Sequence, residues 1–275
     1  MTSGGRAVTP AEDPAAEDPA AATPASGTAS LLAGRRVVVV GGASGIGLAT
    51  VRAATSAGAA AVAVLDADGA GAARAAEQVR HLGVTAYSRQ VDVTVEIEVA
   101  DVFDGVAAAW GGIDAVLHVA GIMQGQGLDV TDVPIELWHR VLSVNLTGPF
   151  LVAKHAVPHL AAGTGVLVLV GSKAGVLTGS GSVPYGASKG GLHGLALTLD
   201  RQLRPRGVRV HALCPGDIDT PLMRRSLDEA RANGVDAGRV AGIEAGLGRP
   251  EDVASALVLL AAPLSASITG TVYTG

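Results

Sequence analysis

Val37-Val38-Val39-Val40-Gly41-Gly42-Ala43-Ser44-Gly45-Ile46-Gly47 decides how this chain folds. Four valines in a row read as a short strand buried on both faces. The glycine-rich turn follows at once, and a helix is predicted from about Ile46. Glycines allow a tight turn and let backbone N–H groups approach a pyrophosphate, while the helix N-terminus adds its positive end. With 38 glycines in the chain, a Gly-rich turn alone says little. Its place between a strand and a helix is what gives it meaning.

Outward from this stretch the same rhythm repeats. Further strands are predicted at Ala61–Leu65, Ala86–Val91, Ile113–His118, Val166–Val170 and Val208–Leu213, with Ala- and Leu-rich helical stretches between them. Apolar strands alternating with helices indicate an α/β domain, a doubly wound parallel sheet flanked by helices. The rhythm runs through residues 31–275, so a single domain is expected. Residues 1–30 hold nine Ala, four Pro and four acids, and read as a disordered tail. This segment lacks the apolar core of a signal peptide and is too acidic for a transit peptide, which makes a cytoplasmic location the expectation.

Composition excludes several classes. Net charge is −5, so no basic footprint for nucleic acid exists. One cysteine forms no internal disulfide, and no Cys/His cluster has metal spacing. No apolar run approaches the ~18 residues of a membrane helix.

The chemistry-bearing residues come next. Asp66 ends the second strand, nineteen residues after Gly47. A carboxylate there accepts hydrogen bonds from ribose hydroxyls and repels a 2′-phosphate. With neutral Ser44 and Ala67 nearby, NAD is favoured over NADP. Asp92, beside Val93 at the end of the third strand, is expected to cap the adenine amine. Tyr185 and Lys189 are four apart and share a helix face. A phenol of pKa ~10 is a poor base at neutral pH, and a neighbouring ammonium lowers that value. Ser172 lies thirteen residues before Tyr185, just past a strand. Asn145 lies in an earlier helical stretch.

Gly41-x3-Gly45-Ile46-Gly47, Asn145, Ser172, Tyr185-x3-Lys189 and Pro215-Gly216 occur in the order and spacing of the short-chain dehydrogenase/reductase family. The chain resembles that family over about residues 31–275. The resemblance implies a Rossmann fold, hydride transfer with a nicotinamide cofactor, and a homotetramer or homodimer. It implies that Tyr185 is the general acid/base and that Ser172 fixes the substrate oxygen. Lys189 lowers the Tyr185 pKa and holds the nicotinamide ribose. Asn145 anchors a proton-relaying water through its backbone. It further implies cofactor contacts from Gly41, Ser44, Gly45, Ile46, Gly47, Asp66, Asp92, Val93, Ala120, Gly121, Tyr185, Lys189, Pro215, Gly216, Ile218 and Thr220. The helices around Asn145 and Tyr185 become the expected subunit interface.

Three departures stand out. The family usually has Thr before the first glycine and Asn-Asn before Ala-Gly; here stand Val40 and His118-Val119. An apolar contact between Val40 and Val119 is expected to replace a polar one. The last strand, after Ile268-Thr269-Gly270, is expected to be short.

Other residues read as ordinary structure. His155 and His159 are surface or structural, His193 faces a neighbouring helix, Trp138 anchors the helix carrying Asn145, and Cys214 is a small buried side chain. His118 is at the end of a strand, where it either packs or touches adenosine. Asp217 and Asp219 are turn residues. Residues 220–247 read as an irregular lid. Leu222, Met223, Leu227 and Ile243 from the lid, with Met123, Gln124, Ala174, Leu177 and Val183, suggest a largely apolar secondary alcohol or ketone as substrate. Arg224-Arg225 reads as a solvated lid pair, with contact to an anionic substrate group as the alternative. Two alternatives are an NADPH-dependent ketoreductase, opposed by Asp66, and a catalytically silent dinucleotide sensor, opposed by the complete Asn145, Ser172, Tyr185 and Lys189 set.

Overall fold

The computed structural model describes residues 1–2 and 31–274. Apart from Met1 and Thr2, the expected tail lies outside them. Seven strands are β1 Arg36–Val40, β2 Ala61–Asp66, β3 Thr85–Gln90, β4 Ala115–His118, β5 Val166–Val170, β6 Arg209–Cys214 and β7 Gly270–Tyr273. They form one sheet in the order β3-β2-β1-β4-β5-β6-β7. Every pairing is parallel. All six predicted strands are present with ends shifted by a residue or two. β7 is four residues long, short as expected.

The helices are α1 Gly45–Ser56, α2 Gly69–His81, α3 Glu96–Trp110, α4 Ile135–Leu142, α5 Gly148–Ala156, α6 Val183–Leu203, α7 Pro221–Ala232, α8 Ala237–Ala245 and α9 Pro250–Ala261. One apolar layer joins the sheet to α1, α2 and α9 through residues such as Val51, Ala76 and Leu257. The other joins it to α3, α5 and α6 through Phe103, Val152 and Leu192. Covering both faces explains why β5 is apolar at every position and β1 and β4 at all but one end, and Val37–Val40 alternate between the two layers. Each fully buried valine contributes about 1.5–3 kcal/mol relative to exposure. The edge strand β3 breaks the pattern with Tyr87, Ser88, Arg89 and Gln90, because it has a neighbour on one side only.

The strand order reverses between β1 and β4, which leave the sheet toward opposite sides. A crevice opens at such a switch point, beyond the C-terminal strand ends. Here the turn after β1 meets the turn after β4. The Val40 carbonyl accepts from both Val119 N at 2.8 Å and Ala120 N at 3.0 Å. This corrects the expected Val40–Val119 side-chain contact. The two side chains belong to opposite apolar layers, and the backbone makes the tie.

The stretch 220–247, read as irregular, is built from α7 and α8 and has its own small core of Leu227, Ala230 and Val240. Thr220 caps α7 by accepting from Met223 N at 3.1 Å, and Asp236 caps α8 by accepting from Arg239 N at 2.8 Å. Gly234 breaks the two helices apart with a φ of 79°.

Candidate active site

The turn after β1 is shaped by contacts that only hydrogen permits. A Cβ on Gly47 would lie 1.8 Å from the Gly41 carbonyl oxygen, and one on Gly41, at φ 88°, would lie 2.5 Å from Ala120 N. The turn is thereby pressed against the β4 turn, and backbone forms the floor of a cleft of about 620 Å³. Gly41, Ser44, Gly45, Ile46, Gly47, Asp66, Asp92, Val93, Ala120, Gly121 and Thr220 all line it. Their backbone cradle, at the N-terminus of α1, fits the pyrophosphate of a dinucleotide. The Asp66 carboxylate accepts from Ala43 N at 2.9 Å and Asp68 N at 3.0 Å, so it is fixed at the rim of the cleft beside Ala67. Asp92 instead turns onto its own loop, accepting from Thr94 N at 2.9 Å and Thr94 Oγ1 at 2.7 Å. Pro215 and Ile218 do not line the cleft. Pro215 is buried and its carbonyl accepts from Lys173 N at 2.9 Å, tying the loop after β6 to the loop after β5.

A second cavity, of about 350 Å³, holds Ser172, Tyr185 and Gly216. Tyr185 sits in the first turn of α6. Ser182 begins that helix: its hydroxyl accepts from Tyr185 N at 3.3 Å and donates to the Gln124 carbonyl at 2.5 Å. Pro184 in the first turn adds a preset φ. One helical turn on, Lys189 Nζ donates to the Val170 carbonyl at 2.9 Å and lies 5.7 Å from the centre of the Tyr185 ring. Both residues are buried. Lys189 lines neither cavity, but its Nζ lies 3.6 Å from where a Gly121 Cβ would stand, between Gly121 of the cleft and Tyr185 of the second cavity.

Asn145 is wholly buried in a π-helical turn, Ser143–Thr147, between α4 and α5. Its Oδ1 accepts from Ile122 N and its Nδ2 donates to the Ile122 carbonyl, each at 2.8 Å. Nδ2 also donates to Ser188 Oγ at 3.1 Å, and Ser188 Oγ donates to the Tyr185 carbonyl at 2.7 Å. One carboxamide thus pins the β4 turn to the helix bearing Tyr185.

Electrostatics here differ from the expectation that Lys189 depresses the Tyr185 pKa. Burial pushes the phenol up to about 12; the Ser172 hydrogen bond opposes this, and the charge of Asp217 adds to it. Burial pulls the Lys189 ammonium down to about 8. Both shifts run in the same sense, toward a neutral pair in the free protein. The free protein holds a neutral phenol facing a lysine that titrates near physiological pH.

His118 does not line the cleft. It is fully buried, its ring nitrogens have no partner among the described residues, and burial drives its pKa down to about 3. His155 and His159 pair with acids of α3, Glu96 at 3.1 Å and Asp104 at 2.8 Å. His193 Nε2 meets Thr271 Oγ1 of β7 at 2.7 Å rather than a neighbouring helix.

Of the residues expected around the substrate, Met123, Ala174, Met223, Leu227 and Ile243 line the second cavity. Leu222 lines the dinucleotide cleft instead, and Gln124, Leu177 and Val183 line neither. The sequence reading missed Arg140 and Arg225 in the cleft, and Gln126, Lys173, Ser226 and Arg239 in the second cavity. Arg224, which was grouped with Arg225, pairs with Asp219 through Nε at 2.8 Å and Nη2 at 2.7 Å.

No helix among the described residues is long and apolar enough to cross a membrane. The family model described as enoyl-(acyl carrier protein) reductase matches residues 41–274. The chain is 36% identical to cis-4-hydroxycyclohexanecarboxylate dehydrogenase of Sinomonas cyclohexanicum, over 86% of this chain and 93% of that protein. It is 32% identical to D-beta-hydroxybutyrate dehydrogenase of Rhizobium meliloti, over 86% of this chain and 95% of that one. The crystal structure of a dehydrogenase/reductase from Sinorhizobium meliloti 1021 superposes with a TM-score of 0.77 at 29% identity, covering 90% of this chain and 95% of that one. With its motifs in this order on a single seven-stranded parallel sheet, the chain belongs to the short-chain dehydrogenase/reductase family.

Proposed function

We propose that the protein transfers a hydride between NAD and a secondary alcohol or its ketone. The observation that carries this reading is that Ser172 and Tyr185 line one cavity, with Lys189 5.7 Å from the Tyr185 ring and Asn145 bonded to Ile122 of the dinucleotide cleft and to Ser188 on the helix of Tyr185. The relatives act, by name, on hydroxy compounds, which supports an alcohol or ketone as substrate. Nicotinamide dinucleotide in the cleft supplies the hydride acceptor or donor.

Tyr185 exchanges the proton at the substrate oxygen. Its phenol is neutral at physiological pH, which suits donation to a ketone oxygen. In the oxidative direction the phenol passes its own proton on as it takes the alcohol's, and Lys189, titrating near 8 one helical turn away, is the base to which a water relay would deliver it. Ser172, beside Tyr185 in the second cavity, donates to the same substrate oxygen and fixes its position. Asn145 keeps the β4 turn and α6 in register, and by resemblance its backbone anchors a proton-carrying water. Gly41, Ser44, Gly45, Ile46 and Gly47 cradle the pyrophosphate, and Asp66 takes the adenosine ribose.

Asp66 makes NAD the preferred cofactor. A 2′-phosphate at that rim would meet a fixed carboxylate next to neutral Ser44 and Ala67. Titration with NADH and NADPH, followed by nicotinamide fluorescence and melting temperature, tests this. At 100 times Kd, NADH should raise Tm by about 5–10 °C, with NADPH far behind. Equal shifts from the two cofactors would remove Asp66 as the selector.

A further inference from the structure

The second cavity carries a charge that the hydride-transfer reading does not use. Met123, Met223, Leu227 and Ile243 form its apolar wall. Its charged lining residues are Lys173, Arg239 and Asp217, so two cations face one anion and the lining is net +1. This local excess sits in a chain whose net charge is −5.

Neither cation is committed elsewhere. Among the described residues, neither the Lys173 ammonium nor the Arg239 guanidinium has a carboxylate within 4.0 Å. The acids nearest Arg239 in sequence are already occupied. Asp236 Oδ1 caps α8 by accepting from the Arg239 backbone N at 2.8 Å, and Glu244 Oε1 accepts from Arg231 Nη2 at 2.5 Å. Arg224, one turn into α7, is likewise taken by Asp219. Arg239 is left over at the mouth of the cavity.

Lys173 follows Ser172 directly, and its backbone is held rigidly. Its N–H donates to the Pro215 carbonyl at 2.9 Å, and its carbonyl accepts from Val176, Leu177 and Thr178 at 3.2, 2.8 and 3.1 Å. In the same cavity, the Ser226 hydroxyl is buried and the Gln126 Oε1 is buried, and neither has a partner among the described residues. Four polar groups therefore line one cavity without a protein partner among the described residues, and the charged ones call for an anion.

Resting on the hydride-transfer reading, we propose that the substrate is a small hydroxy acid or oxo acid. Its carbinol or carbonyl carbon sits at Ser172 and Tyr185, and its carboxylate binds Lys173 and Arg239. A short or single-ring hydrocarbon skeleton spans the two against the methionine side. A cavity of about 350 Å³ is at the small end of the range for ligand sites and leaves little room for a polycyclic skeleton. This narrows the broadly apolar substrate that the sequence suggested. The carboxylate takes no part in the bond changes; it anchors the substrate so that the reacting carbon is held in place.

Calorimetry on the full chain saturated with NADH tests the proposal, with cyclohexanecarboxylate and its neutral isostere cyclohexanecarboxamide as probes. The carboxylate should bind at least tenfold more tightly, and the preference should shrink with added salt. Arg239→Gln and Lys173→Gln should each weaken the carboxylate several-fold and leave NADH affinity unchanged. Equal binding of the two probes by the unaltered protein, or no binding of the carboxylate, overturns the proposal without recourse to a variant. Turnover separates this from the reaction itself. NADH formation from neutral secondary alcohols as fast as from hydroxy acids sinks the substrate class and leaves hydride transfer standing. Tight carboxylate binding with no NADH formation from any alcohol or hydroxy acid sinks the hydride-transfer reading.

Discussion

On the proposed mechanism, proton exchange at Tyr185 depends on where its neighbour titrates. A lysine pulled down to about 8 is protonated below that pH and has no room for the phenol's proton. Alcohol oxidation should therefore climb as pH rises through about 8, and ketone reduction should decline over the same interval. An oxidation rate that stays flat from pH 7 to 9 would contradict this assignment. Tyr185→Phe keeps the ring in its buried place and removes only the hydroxyl. It should cost about 10²–10⁴ in kcat with NADH affinity intact, measured by stopped-flow turnover and fluorescence titration. Arg225 carries a separate expectation. It lines the dinucleotide cleft and has no acid partner among the described residues, unlike Arg224. Arg225→Gln should weaken NADH by about threefold to tenfold, most at low ionic strength, whereas Arg224→Gln should leave that affinity alone.

Much of the architecture was legible in the sequence because the sheet is covered on both faces. Burial on two sides forces unbroken apolar strands, and Val37–Val40 and Val166–Val170 display that rule openly. The phosphate turn was legible because its glycines answer to backbone collisions that no other residue survives. Gly47→Ala should collapse the turn, lowering Tm and abolishing dinucleotide binding together, which thermal melts with and without NADH would register. The stretch 220–247 was not legible as helix. Its charges and glycines mask two short helices whose apolar residues pack mainly on one another. Without the helical phase, Arg224 and Arg225 look alike, and Leu222 looks like a substrate contact. With it, Leu222 and Arg225 fall on one side of α7, and Met223, Ser226 and Leu227 on another. The Val40–Val119 contact failed for a related reason: neighbouring strand positions can address opposite faces, and pairing two residues by type ignores that alternation. α7 is also latched. Glu229 accepts from Gly125 N at 2.9 Å and Gln126 N at 3.3 Å, and Asn233 Nδ2 donates to the Gln126 carbonyl at 2.8 Å. Glu229→Ala should raise KM for the alcohol and speed proteolysis within 220–247, with NADH affinity nearly unchanged.

At the scale of the whole molecule, the helices around the site present apolar surface. Phe150 on α5 and Leu197 on α6 are 47% and 48% exposed, although each helix buries its opposite side in the sheet. The family resemblance makes these helices the expected seam between subunits. Phe150→Glu with Leu197→Glu should then shift the protein toward monomer in light scattering after gel filtration, while the far-ultraviolet circular dichroism is preserved. An unchanged mass would move the seam elsewhere. The helix α7 has a different reach, because its two sides serve the two cavities. A lineage could exchange residues 223, 226 and 227 to acquire new substrates while 222 and 225 continue to line the same cleft. Diversification of this enzyme therefore need not pass through ancestors that have lost their redox partner, and one short helix lets the chemistry be inherited while the diet changes.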